Sequence, residues 1–540
     1  MALKSLPERM LTAWVLLIPV AYAPLFLIGE RPGRRAFEIA AAAFALALLA
    51  GLLRVRTRLL DRLAAALEPF AARLLLLAIG AHFVWSVVRA QQQLAAFADF
   101  NQLGLFSQST WSLLRGHPYA NTHETLDGSL GSHFGIHFSP TLLLIAPLYA
   151  VWPSPLLLLA FQSLALSLIP LPVYHLLRPR VGAGAAMVLA LAVLAVPSFA
   201  LGGPADFRDA NLLPVLLLAA VWAIESRRPW LVMVFALAAL GVREDTGPTL
   251  VALGLYALVR GRGVRIAAGV ALLGAAWFVV VTRFVMPAFW SEGLWMNPRA
   301  FFSNVLGNWG PTPLAAARAM LTHPLAVLRA ATTGESLRYL YGLLTPLLLL
   351  PPFGDWALLV ALPSLALNLL SRLPFMRAVS QGYSLVPLAF LALATVSLAA
   401  RVAHSALPVR RHGTALALGL IVLAGTIPAL GFGLGRPDAP VPPVAEARRV
   451  LELIPEREAV YAPVSLYPAL CNREDFGCWW STGVKGREPE FRSRYAWIVL
   501  WPASDPPGEP RESALADSLA GDHRFVAHEG FAPFVVYQRN

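Results

Sequence analysis

Three clusters of charged residues stand out in a chain that is otherwise rich in apolar side chains. Each cluster lies between apolar runs, where ionised groups are costly to remove from water and are commonly functional. One such cluster is explained equally well as a solvated turn, but three together favour a shared site. The clusters are Asp99 with Asp127, Asp206-Phe-Arg208-Asp209, and Arg243-Glu244-Asp245.

These residue types suit the transfer of a sugar from a lipid phosphate. A carboxylate can act as general base and accept the proton of a hydroxyl group that attacks a sugar carbon. A guanidinium can bind the phosphate that leaves, because its planar fork matches phosphate geometry. We predict Asp99 as the base, with Asp206 as the second candidate for this catalytic role. Phosphate binding is predicted for Arg208, Arg243 and Arg372, although Arg372 could equally snorkel to lipid headgroups.

The polar segment 91–137 supplies most of the remaining candidates. A long ordered connection between membrane spans usually has a function. Within it, Leu103–Trp111 is amphipathic and predicts a helix along the membrane, with plain interface packing as the alternative. We predict that Gln108 and His137 position the substrate. The other predicted substrate-binding residues are Trp111, Asp127, His133, Asp209, Glu244 and Asp245.

His133 and His137 have the spacing of two metal ligands on one helix face. The sequence fixes no third ligand, so we assign no metal site and prefer hydrogen bonding to substrate or loop packing. Asp127 and Glu124 could add oxygen ligands for a divalent cation, and this alternative stays open. The cofactor is otherwise unknown.

Composition makes the chain a membrane protein. Of its 540 residues, 57% are hydrophobic and only 14% are charged, which excludes an ordinary soluble domain. Apolar runs of roughly 15 to 22 residues fit helices that cross about 30 Å of hydrocarbon. The net charge of +12 comes mostly from arginines in short connections without a nucleic-acid motif, so we predict no nucleic-acid partner.

We predict an all-α polytopic membrane domain over residues 1–435 with about thirteen spans. The first is interpreted as a retained span, because no clear small-residue cleavage site follows it. Residues 141–152 are too short to cross and predict a re-entrant or interfacial helix. The spans are 11–28, 36–53, 72–90, 156–177, 183–201, 211–224, 229–241, 248–259, 266–282, 338–352, 356–370, 383–400 and 414–434.

Basic connections orient these spans. The positive-inside rule assigns the connections 178–180, 225–228, 260–265 and 401–412 to the cytoplasm. The polar segment, both later charged clusters and the connection 283–337 then lie outside. The last of these is rich in tryptophan and predicts amphipathic helices at the interface. All three charged clusters therefore share one side of the membrane.

Residues 436–540 predict a small soluble α/β domain on the extracytoplasmic side, after a Pro-rich linker. The only cysteines of the chain, Cys471 and Cys478, lie here. Outside the cytoplasm they could form a disulfide, which we favour over two free buried thiols. The expected helices are 444–453 and 512–520, and the expected strands are 459–461, 496–501 and 533–537.

Five short motifs lie between residues 103 and 245. They are Leu103-Gly-Leu-Phe-Ser-Gln-Ser-Thr-Trp111, His137-Phe-Ser-Pro140, Ala146-Pro-Leu-Tyr149, Asp206-Phe-Arg208 and Arg243-Glu-Asp245. Together they resemble a bacterial family of multi-pass membrane proteins that carries a predicted membrane domain of unknown function and is related to the GT-C glycosyltransferases. The similarity to this family covers most of residues 75–400.

This resemblance implies a GT-C-like fold with many spans, a catalytic acid in the first large outer loop, and a sugar donor carried on polyprenyl phosphate. It also implies inverting transfer on the outer face. Two positions depart from the family pattern. Gln102 stands where the family usually has an aspartate, which bears on the identity of the base. Arg208 stands where histidine is common, which bears on the donor or acceptor.

The prediction is therefore a GT-C-type glycosyltransferase of the bacterial plasma (inner) membrane, active in the cell envelope. It would take a polyprenyl-phosphate-linked sugar donor, with membrane lipids as further partners, and act on the extracytoplasmic face. A transporter or flippase of lipid-linked sugars would line a path with the same charges, and would need alternating access. A non-catalytic membrane scaffold would tolerate neutral substitutions in the clusters.

Overall fold

The computed structural model describes residues 57–98, 100–125, 129–294, 305–379, 382–405, 411–433, 441–478, 492–505 and 511–540. The expected spans 11–28 and 36–53 lie outside these described residues. Most of the described chain is helical, because lipid offers no partner for open backbone groups and a helix pairs its own.

The helices before residue 434 are mostly short. Many begin with a proline at the first or second position, where its missing N–H costs no helical hydrogen bond. They are α1 (Thr57–Leu67), α2 (Ala71–Ala95), α3 (Asn101–Leu113), α4 (Ala146–Val151), α5 (Pro155–Ser167), α6 (Pro170–Val181), α7 (Ala183–Leu194), α8 (Pro197–Ala200), α9 (Leu213–Glu225), α10 (Pro229–Leu240), α11 (Thr246–Val259), α12 (Val264–Val280), α13 (Met286–Phe289), α14 (Pro313–Thr322), α15 (Pro324–Ala331), α16 (Gly334–Leu344), α17 (Leu358–Leu370), α18 (Leu385–Ser405) and α19 (Arg411–Gly433).

The expected count of about thirteen spans needs correction. Four helical stretches in the described part are long and apolar enough to cross a membrane: Ala71–Ala95, Pro155–Val181, Val264–Phe289 and Gly382–His404. Other expected spans are present as apolar helices of 10–17 residues, short of the roughly 20 that a crossing needs. Proline explains part of the difference, since the expected span 183–201 breaks between α7 and Pro197.

Two expected non-spanning regions form as predicted. Residues 141–152 fold into a 3₁₀ turn, Pro140–Leu144, and the short helix α4, with Leu144 and Val151 exposed. The described part of the connection 283–337 contains α14 and α15, whose exposed side chains include Leu314 and Leu325. With 6, 10 and 8 residues, the helices α4, α14 and α15 are each too short to cross hydrocarbon.

The C-terminal region contains a five-stranded mixed sheet in the order β4-β3-β5-β7-β6. The pairs β4–β3 and β3–β5 are parallel, whereas β5–β7 and β7–β6 are antiparallel. The three expected strands and both expected helices form, whereas β4 and β6 were not predicted. The elements are α20 (Val444–Leu453), β3 (Val460–Tyr461), α21 (Tyr467–Leu470), β4 (Phe476–Gly477), β5 (Trp497–Leu500), α22 (Arg511–Ala520), β6 (Phe525–His528) and β7 (Val535–Arg539), while β1 (Ala120–Asn121) and β2 (Gly131–Ser132) pair within the polar segment.

The sheet packs directly on the polar segment. Leu103 and Phe106 of α3 belong to the same hydrophobic core as Val460 and Tyr467 of the C-terminal region. At Gly104 the contact is so close that an added Cβ would lie 2.3 Å from the Tyr467 ring. The polar segment is therefore held between the membrane helices and the C-terminal sheet.

The expected disulfide is absent, and this prediction was wrong. Cys471 and Cys478 are both buried, and neither forms a disulfide. The thiol of Cys471 donates to the Pro468 carbonyl oxygen at 3.1 Å, whereas the Cys478 sulfur lies 3.4 Å from Nδ1 of His123. The two thiols thus have different neighbours. This agrees with the alternative, two buried cysteines that are not joined by a disulfide.

Candidate active site

A cavity of about 460 Å³ opens beside the polar segment. Its wall combines side chains from the polar segment, from the turns that follow α8 and α10, and from the start of the span Gly382–His404. The short helices α10 and α11 meet at this cavity, because Arg243 lies in the turn between them. The polar residues of the wall are Asn101, Gln102, His123, Glu124, Thr125, His133, His137, Arg208, Asp209, Arg243 and Tyr383.

His133 forms a buried pair with Glu124 in this wall. Its Nδ1 donates to the Glu124 carboxylate at 2.8 Å. Its other ring nitrogen, Nε2, is buried and has no hydrogen-bond partner among the described residues. A carboxylate on Nδ1 fixes the imidazole tautomer and leaves Nε2 as a proton acceptor. Burial alone would lower the pKa of His133, but the charge and hydrogen bond of Glu124 outweigh burial and raise it.

Glu124 is itself held in a tight turn. The side chain of Asn121 donates to its carboxylate at 2.9 Å and accepts from its backbone N–H at 2.9 Å. Asn121 also donates to Ser109 of α3 at 3.1 Å. Burial would raise the pKa of Glu124, but His133 and Asn121 together lower it. The pair therefore consists of an ionised, oriented carboxylate and the imidazole that it orients.

A second histidine, His137, is bonded to the fully buried Glu244. Nδ1 of His137 donates to this carboxylate at 2.8 Å, and the backbone N–H of Phe138 donates to its other oxygen at 3.0 Å. Burial would raise the pKa of Glu244, but His137 and Arg243 lower it to about 2. Glu244 thus anchors the end of the polar segment to the turn between α10 and α11.

Arg243 is the buried cation of the cavity, with 7% of its surface exposed. Its guanidinium lies 3.5 Å from Asp209 and 3.3 Å from Asp245, and Nη2 lies 3.1 Å from Nδ1 of His137. Asp209 in turn accepts from Ser139 at 2.5 Å. Opposite charges hold Arg243 in a fixed position against the imidazole of His137.

Arg208 is the second cation of the wall, and it is not neutralised in the same way. Its guanidinium makes no ion pair with any residue in the part of the chain that the structure describes. The aliphatic part of the Arg208 side chain packs against Gly382, where an added Cβ would lie 2.7 Å from Cδ of Arg208. Two guanidiniums on one cavity wall, one of them without an ion pair to any described carboxylate, can bind a phosphate.

Asp206, the second candidate for the base, has a different position. Its two carboxylate oxygens accept from the backbone N–H groups of Gln102 and Leu103, at 2.9 and 2.8 Å. These groups begin α3, where N–H groups lack partners within the helix. Asp206 does not line the cavity among the described residues. Its geometry is that of a helix cap that positions α3, and the catalytic role predicted for it stays a prediction.

Gln108 and Trp111 also lie away from the cavity. The Gln108 amide donates to Arg473 O at 3.0 Å and accepts from the Tyr467 hydroxyl at 2.7 Å and the Thr122 N–H at 3.1 Å. All of its bonds therefore join α3 to its neighbours, and none faces a substrate. The Trp111 ring is covered by Arg115, whose Cζ lies 3.6 Å from the ring centroid. For both residues the packing alternative is the one that fits.

Of three other predicted residues, two are not described and one lies away from the cavity. Asp99, the favoured base, and Asp127 lie outside the described residues. Arg372 is exposed and is not part of the wall, and its backbone N–H donates to Val305 O at 3.0 Å. The predicted residues that the structure brings together in the wall are His133, His137, Arg208, Asp209 and Arg243, with Glu244 and Asp245 bonded behind them.

Three residues of the wall were missed as binding residues. Glu124 was considered only as an oxygen ligand for a cation, although it precedes His133 by nine positions in the same polar segment. His123 stacks near Tyr467, with ring centroids 5.5 Å apart, and burial lowers its pKa to about 4. Tyr383 was not predicted as a site residue, yet it lines the cavity, and its ring centroid lies 6.0 Å from the Arg243 guanidinium.

The histidine pair does not form a metal centre within the described ranges. His133 and His137 have ring centroids 5.8 Å apart, and each Nδ1 is bonded to a carboxylate. No group of three His, Cys, Asp or Glu side chains in those ranges has a metal-binding arrangement.

Two solved structures and one protein family are similar to this chain. A search of curated proteins finds no match to this chain. Among solved structures, ArnT from Cupriavidus metallidurans bound to undecaprenyl phosphate is 13% identical, with a TM-score of 0.43, and the match covers 84% of this chain and 97% of that chain. The apo state of the same protein is 14% identical, with a TM-score of 0.42 and coverages of 85% and 98%.

The family model described as "Predicted membrane protein (DUF2079)" matches residues 93–519. This range contains all but the first two residues of the polar segment, both later charged clusters and three of the five strands of the C-terminal sheet. The resemblance drawn from the five sequence motifs is therefore confirmed, and the chain belongs to the DUF2079 family of predicted membrane proteins.

Proposed function

We propose that this protein is a membrane glycosyltransferase of the GT-C type, which transfers a sugar from a polyprenyl-phosphate donor to an acceptor hydroxyl. The observation that carries the proposal is the single cavity lined by His133, which Glu124 orients, and by the guanidiniums of Arg208 and Arg243. A proton acceptor and a phosphate site in one cavity serve both ends of such a transfer.

In the proposed reaction the acceptor oxygen attacks the anomeric carbon while the bond from this carbon to the phosphate oxygen breaks. The acceptor proton passes to the base, and the electrons of the broken bond stay on the polyprenyl phosphate. Attack from the face opposite the leaving group inverts the anomeric centre. Arg208 and Arg243 would stabilise the charge that develops on the departing phosphate.

Two groups are candidates for the base. The first is Nε2 of His133, which has no hydrogen-bond partner among the described residues. The Glu124 carboxylate, bonded to Nδ1 of the same ring, orients it. Asp99 remains the candidate favoured by the sequence, and it precedes the cavity residues Asn101 and Gln102 in the chain. Asp206 is the weaker choice, because both of its oxygens already accept backbone hydrogen bonds.

A lipid donor fits the apolar part of the same wall. Leu105, Ile136 and Phe375 line the cavity, and Phe375 is 47% exposed. The cavity lies at the N-terminal end of the span Gly382–His404, at the depth where the phosphate of a lipid meets the polar boundary of the membrane. Arg401 lies at the C-terminal end of this span. By the positive-inside rule, this favours an extracytoplasmic position for the cavity and for the C-terminal sheet.

The proposal is tested with the purified protein in lipid nanodiscs. A panel of undecaprenyl-phosphate hexoses and pentoses is incubated with the protein, and the release of undecaprenyl phosphate is measured. Arg208→Gln should weaken donor binding by about tenfold, since it removes a charge-assisted phosphate contact. Arg338→Gln, which removes an exposed arginine outside the cavity, is the matched control.

The two outcomes are distinct. Loss of transfer in Arg208→Gln with normal transfer in Arg338→Gln supports a donor site in the cavity. In sealed proteoliposomes, movement of intact lipid-linked sugar across the membrane, without release of undecaprenyl phosphate, contradicts a transferase and favours a flippase. Equal binding of the donor by both variants removes Arg208 from the site.

A further inference from the structure

A second cavity, of about 740 Å³, lies at the other end of the span Gly382–His404. Tyr383, at the N-terminal end of this span, lines the candidate active site. Arg401 and His404, at its C-terminal end, line the second cavity. A helix of 23 residues extends over about 35 Å. The two cavities therefore lie toward opposite faces of the membrane.

One side of this second cavity is basic. Arg260 forms a bidentate pair with Glu225, with both nitrogen to oxygen distances at 2.9 Å. The same carboxylate accepts from Arg262 at 2.5 Å and lies 3.9 Å from Arg180, which lines the cavity with Arg260. One carboxylate cannot neutralise three guanidiniums, so positive charge is left over at the cavity wall.

Arg401 adds a further cation. Its Nη2 donates to the backbone carbonyl oxygens of Phe353 and Gly354, at 2.8 and 2.5 Å, and it forms no ion pair with a carboxylate of the described residues. Asp355 is the one acidic residue among the described residues that line the cavity. Its carboxylate accepts from the backbone N–H of Ala357 at 3.0 Å. The wall therefore keeps an excess of positive charge.

The other side of the cavity is apolar and open. Trp356 and Leu362 line it, and they are 55% and 52% exposed. On a membrane protein, apolar side chains with this exposure face lipid chains, and tryptophan favours the boundary between hydrocarbon and headgroups. A ligand that satisfies both sides carries an anionic group next to hydrocarbon.

We propose that this cavity binds an anionic phospholipid, with its phosphate against Arg180, Arg260 and Arg401 and its acyl chains along Trp356 and Leu362. Basic pockets between membrane helices bind lipid headgroups in this way. The site lies at the membrane face opposite the candidate active site and does not depend on the proposed transfer reaction.

The test compares lipid binding by the purified, full-length protein in detergent. Phosphatidylglycerol and phosphatidylcholine are titrated separately, and bound lipid is counted by native mass spectrometry. Phosphatidylglycerol should bind more tightly, and Arg180→Gln and Arg401→Gln should each weaken its binding by about fivefold. Arg265→Gln removes an exposed arginine just after Arg262 and outside the cavity, and should leave binding unchanged.

Three results would overturn the proposal. The first is equal binding of the two lipids, and the second is an equal loss of binding in Arg265→Gln. The third is displacement of phosphatidylglycerol by millimolar inorganic phosphate, which would make the cavity a site for soluble anions. If Arg401→Gln fails to fold, Arg180→Gln still decides the test. Arg180 lies 3.9 Å from the Glu225 carboxylate, and the loss of so long an ion pair should not unfold the protein.

Discussion

Nδ1 of His133 lies 2.8 Å from the carboxylate of Glu124, nine residues earlier in the polar segment. This contact links β2 to the turn after β1, and it leaves Nε2 of the imidazole without a partner among the described residues. A carboxylate that orients an imidazole in a cavity wall is an arrangement suited to general base catalysis. The contact therefore connects the fold of the polar segment with the proposed chemistry.

The substitution Glu124→Gln should slow transfer and shift its pH dependence. Glu124 raises the pKa of His133, so a base at Nε2 is neutral and active only as the pH rises above that raised value. Without the carboxylate the pKa of His133 falls, and the acidic limb of the rate profile moves to lower pH. The rate at high pH should also fall by about 10- to 100-fold, because the ring loses its orientation.

The measurement is kcat against pH for the wild type, Glu124→Gln and Asp99→Asn. If His133 is the base, only Glu124→Gln moves the acidic limb. If Asp99 is the base, Asp99→Asn abolishes transfer while the profile of Glu124→Gln keeps its wild-type midpoint. A profile that neither substitution changes would remove both groups from the role.

The sequence predicted the local elements better than the site, for a physical reason. Helix α20 and strand β5 follow from patterns of a few neighbouring residues, and they form within one residue of the expected limits. The roles of Asp206 and Gln108 depend on partners more than 100 residues away, such as the N–H of Gln102 and the hydroxyl of Tyr467. No local pattern contains such contacts.

The charged clusters were nevertheless a useful guide. Arg208, Asp209 and Arg243 converge in one cavity because ionised groups between apolar helices must find each other or water. Their partners were harder to assign. Glu124 looked like an ordinary loop acid, since nothing in its neighbourhood in the sequence indicates the turn through Asn121 that directs it toward His133.

The substitution Glu244→Gln should destabilise the protein at neutral pH by about 3 kcal/mol, because it removes the buried charge to which His137 and the Phe138 N–H donate. Arg243 keeps Asp209 and Asp245 as counter-charges. The pKa of Glu244 is lowered to about 2 by folding. Its contribution to stability is therefore present above pH 4.5, the value of an unperturbed glutamate, and is lost as the pH falls toward 2. Thermal unfolding in detergent at several pH values measures both effects.

Glu335→Gln is the control for this prediction. Glu335 pairs with Arg377 at 3.0 Å, but its side chain is 58% exposed. An exposed ion pair contributes about 0 to 1 kcal/mol, so this variant should unfold close to the wild type. Equal destabilisation by the two substitutions would show that burial of Glu244 does not strengthen its contacts.

The substitution Gly104→Ala should weaken the packing of α3 against the C-terminal sheet. The added methyl group would lie 2.3 Å from the Tyr467 ring, so one of the two must move. Overpacking of this kind costs about 1 to 3 kcal/mol. Limited proteolysis after Leu453 and thermal unfolding measure the loss, which should include faster cleavage of the C-terminal region.

Gly80→Ala is the matched control on α2. An added Cβ at Gly80 meets no atom within 4 Å, and alanine is the better helix former. This variant should be as stable as the wild type or slightly more so. A similar rate of cleavage in both variants would contradict the tight contact between α3 and Tyr467.

The substitution Asp206→Ala separates a helix cap from a catalytic base. As a cap, Asp206 accepts from the N–H groups of Gln102 and Leu103, and its loss should cost about 1 kcal/mol of stability. Transfer should then fall only severalfold, because α3 still forms and the cavity wall moves slightly. A catalytic base would instead account for about 100- to 10,000-fold in rate. Asp206→Ser, which can still cap the helix but cannot act as a carboxylate base, decides between the two.

Near-normal transfer in Asp206→Ser supports the role of helix cap. The contrary result is a loss of transfer as large as that expected for a base, at unchanged thermal stability, and it restores Asp206 as a catalytic residue.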